Sequence, residues 1–390
     1  MRKLTHTPSA RDRLIEDIAL AVLAAAFTVG VCLMSRHASY YDIYRLSGQD
    51  PVSFERAAVL SVDREQIEEQ KSQRGMFTGY QDLTIRLLSG TRAGEQHTIT
   101  NYLNYDMSFK FKKGDRLIVS VNSTASGKTL QIYVSTPERL PWLGGLLGLA
   151  ALMLIITGGR QGFRSLLGLV FTADCILFVF VPLVYRGIEP APAALILAVV
   201  VSCTVLPLSC GWGKKTAAAI LSTLGCVCLS MAVQLLFCHF AFLSGFTLGD
   251  TDSLMKIAAH SGLKIGGLLF SAILISSLGA VMDIAMSIAS AINELSLADG
   301  AASFGRLFSA GMTIGRDMSG TMANTLILAF AGSSLIPLIQ IYTYNMQLNQ
   351  VLNSNDIAVE VTQSLAGSLA VIAAVPLVSA VSALLLSKKS

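Results

Sequence analysis

Asp283, Ser287, Ser290 and Glu294 stand at offsets 0, 4, 7 and 11 within the run GAVMDIAMSIASAINEL. A helix turns once every 3.6 residues, so these four side chains share one face of an otherwise apolar helix. A second polar series, Asp317, Thr321, Asn324 and Thr325, follows in GRDMSGTMANT, with Arg316 beside it to join Asp283 and Asp317 in one charged cluster. Carboxylates, a guanidinium, hydroxyls and an amide at such spacings can hold an ion, relay a proton or bind a polar solute. They can equally staple two helices by charge. Asp174, in FTADCILF, is a further carboxylate inside an apolar run, with no Lys or Arg at comparable depth in another span. It reads either as a cation or proton site or as a neutral acid hydrogen-bonded to a neighbouring helix.

Other chemistries leave no trace. Neither G-x-S-x-G nor H-E-x-x-H occurs, so an intramembrane hydrolase would have to rest on the Asp283 and Asp317 pair. The run GWGKKT at 211–216 lacks the spacing of a phosphate-binding loop, which argues against an ATP-driven pump. The seven cysteines lie in or beside apolar stretches; Cys226 and Cys228, two apart, point to different sides of a helix. The expectation is therefore no metal, no cofactor and no enzymatic activity.

The elements that must position these residues belong to a membrane. Of 390 residues 53% are hydrophobic and 14% charged, against about a quarter charged in soluble domains. Of the 54 charged residues, 26 fall between Ser35 and Leu140, which leaves the rest of the chain almost charge-free. That segment holds 14 basic and 12 acidic residues with no basic stripe, which excludes nucleic acid as a partner. Runs of about 20 apolar residues predict eight spans: Ile15–Met34, Pro141–Thr157, Leu166–Tyr185, Ala191–Cys210, Thr216–Leu243, Ile265–Ala291, Thr321–Tyr344 and Leu365–Leu386. With the N-terminus inside, twelve basic residues of the tails and short loops are cytoplasmic. Three (Arg186, Lys256, Lys264) are outside. Both termini are then cytoplasmic, and the segment 35–140 is extracytoplasmic.

The expected fold is thus mainly α, a polytopic bundle with a small all-β insert between its first two spans. Three regions follow: 1–34, cytoplasmic tail and anchor; 35–140, β-rich; and 141–390, seven spans. Strand-like runs at Phe54–Val62, Tyr80–Leu88, Glu95–Thr100, Arg116–Val121 and Thr129–Val134 suggest a five-stranded, OB-like barrel. The polar stretch Asp63–Thr78 reads as a long loop. Phe304–Thr313, too short to span, reads as an interfacial or re-entrant segment. Gly311, Gly315 and Ser319 recur every four residues, a small face that admits a close neighbouring backbone.

Three strings carry a resemblance to the YibE/F-like family of bacterial multi-spanning membrane proteins: Gly279–Leu295, SAGMTIGRDMSGTMANTLILAFAG at Ser309–Gly332, and LNSNDIAVEVTQSLAGSLAVIAAVP at Leu352–Pro376. The resemblance implies a bacterial plasma-membrane protein. It places Asp283, Ser287, Arg316, Asp317, Thr321 and Asn324 in the family's signature, without a substrate, reaction or catalytic residue to carry over. The function expected is a transporter or permease of an ion or small polar solute, the inner-leaflet cluster being its working site. The competing expectation is a scaffold or envelope sensor whose outer β module binds a partner, an envelope protein or a second membrane subunit.

Overall fold

A computed structural model describes residues 27–28, 52–71, 74–105, 107–123, 130–247, 251–299, 302–343 and 347–387. The chain divides into two compact units, Tyr40–Met153 and Leu154–Ser390 together with the segment Met1–Ser39. Each is built by different physics: the first by alternation of apolar and polar residues along strands, the second by long apolar helices.

In the first unit five antiparallel strands, β1 (Val52–Glu69), β2 (Phe77–Leu87), β3 (Gln96–Leu103), β4 (Arg116–Ser123) and β5 (Leu130–Pro137), form one sheet in the order β3-β2-β1-β4-β5. All five expected strands are present. The sheet curls into a half-barrel whose inner face is the alternating set Ala57, Val59, Leu83, Ile85, Leu117 and Val119, each 2% exposed or less. The stretch Asp63–Thr78, expected as a loop, is instead mostly strand: β1 continues to Glu69, where it faces Phe77 of β2. Beyond Val62 the run Asp63-Arg64-Glu65-Gln66 is wholly polar and Ile67 is the single apolar residue before Glu68 and Glu69, so the sequence carries no alternating strand signal there. The backbone ladder persists nonetheless, past register shifts between Val59 and Ser61 and between Val62 and Arg64.

Side chains brace this ribbon. Thr84 and Ser61 donate hydrogen bonds to Asp63, at 2.6 and 2.7 Å, and hold its carboxyl below the ordinary range. Lys110 pairs with Glu65 and does the same there. A carboxylate whose pKa is lowered by folding stabilises the fold above its unfolded pKa, and the contribution is lost as pH falls through the lowered value. Acid should therefore weaken this bracing, and Lys110→Met should move the Glu65 titration, followed by carboxylate NMR, back up toward the ordinary value. An unmoved midpoint would contradict the pairing.

Five helical stretches among the described residues are long and apolar enough to cross a membrane: Leu140–Tyr185, whose first residues to Met153 belong to the first unit, and Pro190–Cys210, Lys214–Phe240, Ile265–Ala298 and Asn355–Leu386 in the second. A sixth results if Phe304–Ser333 and Leu335–Thr343, bent by 60°, count as one. The first expected span lies outside the described residues except for Phe27 and Thr28. The second and third expected spans share Leu140–Tyr185, whose 46 residues would reach roughly 69 Å if straight, about twice the hydrocarbon thickness. They are not straight. α1 (Leu140–Asp174) is broken at Gly159, with φ 54° and ψ −131°. There the chain bends back so far that a Cβ on Gly162 would lie 2.0 Å from the Leu154 carbonyl oxygen, eight residues earlier. Cys175–Phe180 then form a π-helical segment, continued by α2 (Val181–Tyr185).

The remaining helices are α3 (Pro190–Cys210), α4 (Lys214–Phe240), α5 (Thr251–His260), α6 (Leu268–Ala298), α7 (Phe304–Ser333), α8 (Leu335–Thr343), α9 (Leu348–Leu352) and α10 (Asn355–Leu386). α6 is central, touching α3, α4, α7 and α10, and it buries Leu274, Val281, Ile284, Ile288 and Ile292 almost completely. Phe304–Thr313 is not a separate interfacial or re-entrant piece. It is the first third of the continuous α7, carried through because Leu307, Gly311 and Gly315 pack into the bundle.

Candidate functional site

The helices that carry the two polar series pack where α7 crosses α6 and α10. A Cβ on Gly311 would lie 2.7 Å from Ile292 Cδ1 and 2.6 Å from Ser379 Oγ; one on Gly315 would lie 2.9 Å from Ile288 Cδ1 and 2.4 Å from Val375 Cγ1. Only a glycine face permits this approach. Ile288 and Ile292 sit among Asp283, Ser287, Ser290 and Glu294, and Gly315 immediately precedes Arg316. The crossing therefore fixes the two series along one helix pair.

Their side chains do not enter the core. On α6, Asp283, Ser287 and Glu294 are exposed and Ser290 is half-buried, while the intervening isoleucines are buried. On α7, Arg316, Asp317, Thr321 and Asn324 are exposed. Among the described residues no hydrogen bond or ion pair joins Asp283, Arg316 and Asp317, so these three charges stand separately along the crossing rather than as a paired cluster. Thr321 returns its hydroxyl to its own helix, donating to the Met318 carbonyl at 2.8 Å.

Asp174 lies elsewhere. It is 7% exposed, and its Oδ2 accepts a hydrogen bond from the Thr28 hydroxyl, while Phe27 stacks obliquely on Phe171 at 4.9 Å. The hydrogen bond gives this carboxyl a neighbouring-helix partner. It sits at the last α-helical residue before the π-helical turn, a distortion frequent at functional sites.

A further polar set is invisible to a search for charges. Thr216, Thr223, Ser230 and Gln234, spaced 7, 7 and 4 along α4, are each 3% exposed or less. Among the described residues the hydroxyls of Thr223 and Ser230 and the Oε1 of Gln234 have no hydrogen-bond partner, nor do the buried hydroxyls of Ser202 on α3 and Ser382 on α10. The Gln234 amide donates only long bonds, 3.5 and 3.4 Å, to the Leu269 and Phe270 carbonyls. The heptad-like spacing of uncharged polar residues was the signal available. Thr223→Val keeps the shape and deletes the unpartnered hydroxyl, so it should raise stability by about 1 kcal/mol. A lowered melting temperature in detergent would show that the hydroxyl is satisfied in the membrane.

Residues 146–388 match the family described as YibE/F-like protein, and residues 53–137 match the YibE/F family N-terminal domain. The chain belongs to the YibE/F-like family. Neither curated proteins nor solved structures gave a match. The YibE/F-like region contains both polar series, the α4 set and Asp174, and the N-terminal domain coincides with the half-barrel. Family and apolar helices together make this a membrane protein.

Proposed function

We propose that this YibE/F-like protein is a multi-pass permease for an ion or small polar solute, and that its working surface is the pair of polar stripes on α6 and α7. The observation that carries this is the exposure of Asp283, Arg316 and Asp317 without a mutual ion pair, on helices packed together through buried Ile288, Ile292, Gly311 and Gly315. A charge at membrane depth costs several kcal/mol against lipid tails, so such side chains belong against water or protein. A staple would pair them; an aqueous path would leave them as they are. Ser287, Ser290, Thr321 and Asn324 supply neutral oxygens along that path, and Glu294 its cytoplasmic mouth.

In this reading the sharp reversal at Gly159 separates two spans, so that with the N-terminal anchor and α7–α8 the chain crosses a bacterial plasma membrane eight times, both termini inside. We read the half-barrel, with its strand order β3-β2-β1-β4-β5, as an OB-like barrel opened between β3 and β5 and lying outside the membrane. Such a module would control access or recruit an envelope partner. Reconstituted protein should show saturable uptake of monovalent cations or small polar solutes into liposomes under an ion gradient. No flux of any tested solute by folded protein would favour instead a scaffold, in which the same exposed stripes seat a second membrane subunit.

A further inference from the structure

The half-barrel unit contains a cavity of about 700 Å³, within the range of small-ligand sites, next to the start of α1. One wall is the segment 107–112, which has no regular secondary structure yet is tightly fixed. Buried Gln81 donates to the Phe111 carbonyl at 3.1 Å and accepts from the Phe111 N–H at 3.0 Å. Asn101, 3% exposed, donates to the Phe109 carbonyl at 2.9 Å. Ser108 accepts from the Phe77 N–H at 2.6 Å and donates to its carbonyl at 3.1 Å. Side-chain amides and a hydroxyl thus replace a strand ladder and hold Phe77, Phe109 and Phe111 around the cavity.

The charges lining it are unevenly satisfied. The Glu138 side chain is 5% exposed; its Oε1 is 3.8 Å from the Arg56 guanidinium, while its Oε2 is buried with no hydrogen-bond partner among the described residues. A buried carboxylate oxygen only accepts, and it calls for a donor, best a cationic one. Opposite in sign, Arg116 and Arg139 also line the cavity, and neither has a carboxylate partner among the described residues; Arg139 rests 5.2 Å above the Phe109 ring. Guanidiniums in this state favour phosphate, which they bind in forked geometry. Pro141 and Trp142, on the first turn of α1, complete the lining, and tryptophan is the residue of membrane–water interfaces.

We infer that the cavity binds a zwitterion bearing a primary ammonium and a phosphate, the phosphoethanolamine group, with Glu138 Oε2 accepting from the ammonium and Arg116 and Arg139 holding the phosphate. The source is a membrane lipid headgroup or the free compound. This site is separate from the α6–α7 stripes and does not depend on transport.

The chain has two tryptophans, so the full-length Trp212→Phe protein leaves Trp142 as the sole reporter at the cavity. In phosphatidylglycerol nanodiscs, soluble phosphoethanolamine should change its emission saturably, at concentrations where inorganic phosphate or ethanolamine alone does not. Glu138→Gln and Arg139→Gln should each weaken that binding about tenfold or more, as loss of a charge-assisted contact requires. Arg139 is exposed and keeps the test open should Glu138→Gln fail to fold. In nanodiscs containing phosphatidylethanolamine, an emission already shifted and insensitive to the soluble compound identifies the lipid headgroup as the source. A titration that persists identifies the free form. No saturable change in either membrane, or equal binding by the parent and both variants, overturns the proposal.

Discussion

Proteoliposomes carrying Asp283→Asn or Asp317→Asn protein should lose solute uptake to the level of protein-free vesicles while the melting temperature in detergent stays within a degree or two of the parent. The substitution keeps shape and removes charge. Because Asp283, Arg316 and Asp317 are exposed and make no hydrogen bond or ion pair with one another, neutralising one of them leaves no buried partner stranded, and stability has little to lose. Transport has much to lose, since these are the ionisable groups of the two stripes within the apolar part of α6 and α7; Glu294 lies near the C-terminal end of α6. A fall in stability that tracks the fall in uptake would mean that the aspartates hold helices together, and full uptake in both variants would remove the site from the account.

The second large effect is steric. Gly315→Leu should cost about 3 kcal/mol, the upper end of overpacking, because even a Cβ there would meet Val375 Cγ1 at 2.4 Å and Ile288 Cδ1 at 2.9 Å. Valine cannot swing aside, being stiff at χ1. Gly320, on the same helix, has nothing within 4 Å of its Cβ position. Gly320→Ala should therefore gain up to about 1 kcal/mol from helix propensity alone. Thermal unfolding of the pair discriminates cleanly: similar melting temperatures for the two variants would show that α7 does not cross α6 and α10 at Gly315.

What could be read from the residues follows from what physics writes into them. The apolar runs predicted Pro190–Cys210 and Lys214–Phe240 within a few residues, because a hydrocarbon-spanning helix must be apolar along its length. The small face of Gly311 and Gly315 likewise announced the close crossing. The continuation of β1 past Val62 was hidden, since a strand largely exposed along its length needs no alternation. The length of α7 was hidden because its first third is polar enough to resemble an interfacial segment. The polar series were legible as stripes, but not their outward aim: a helical period fixes which residues share a face and leaves open what that face meets. The Thr223–Ser230–Gln234 set escaped because uncharged polar residues hardly lower the hydropathy of α4. Glu138 escaped because nothing in its neighbours along the chain marks a carboxylate as half-paired; only the folding of 107–112 against β2 builds the cavity it lines.

The central claim, that the α6 and α7 stripes face water within the membrane, is tested most directly by thiol accessibility. In a cysteine-free background, single cysteines at Ser287 and Thr321 replace exposed hydroxyls that bear no core contact. A charged, membrane-impermeant methanethiosulfonate applied from the cytoplasmic side should label both, whereas a cysteine at buried Ile284 stays unlabelled. Labelling of Ser287 and Thr321 positions only by a lipid-soluble maleimide, with no reaction of the charged reagent from either side, would contradict an aqueous path.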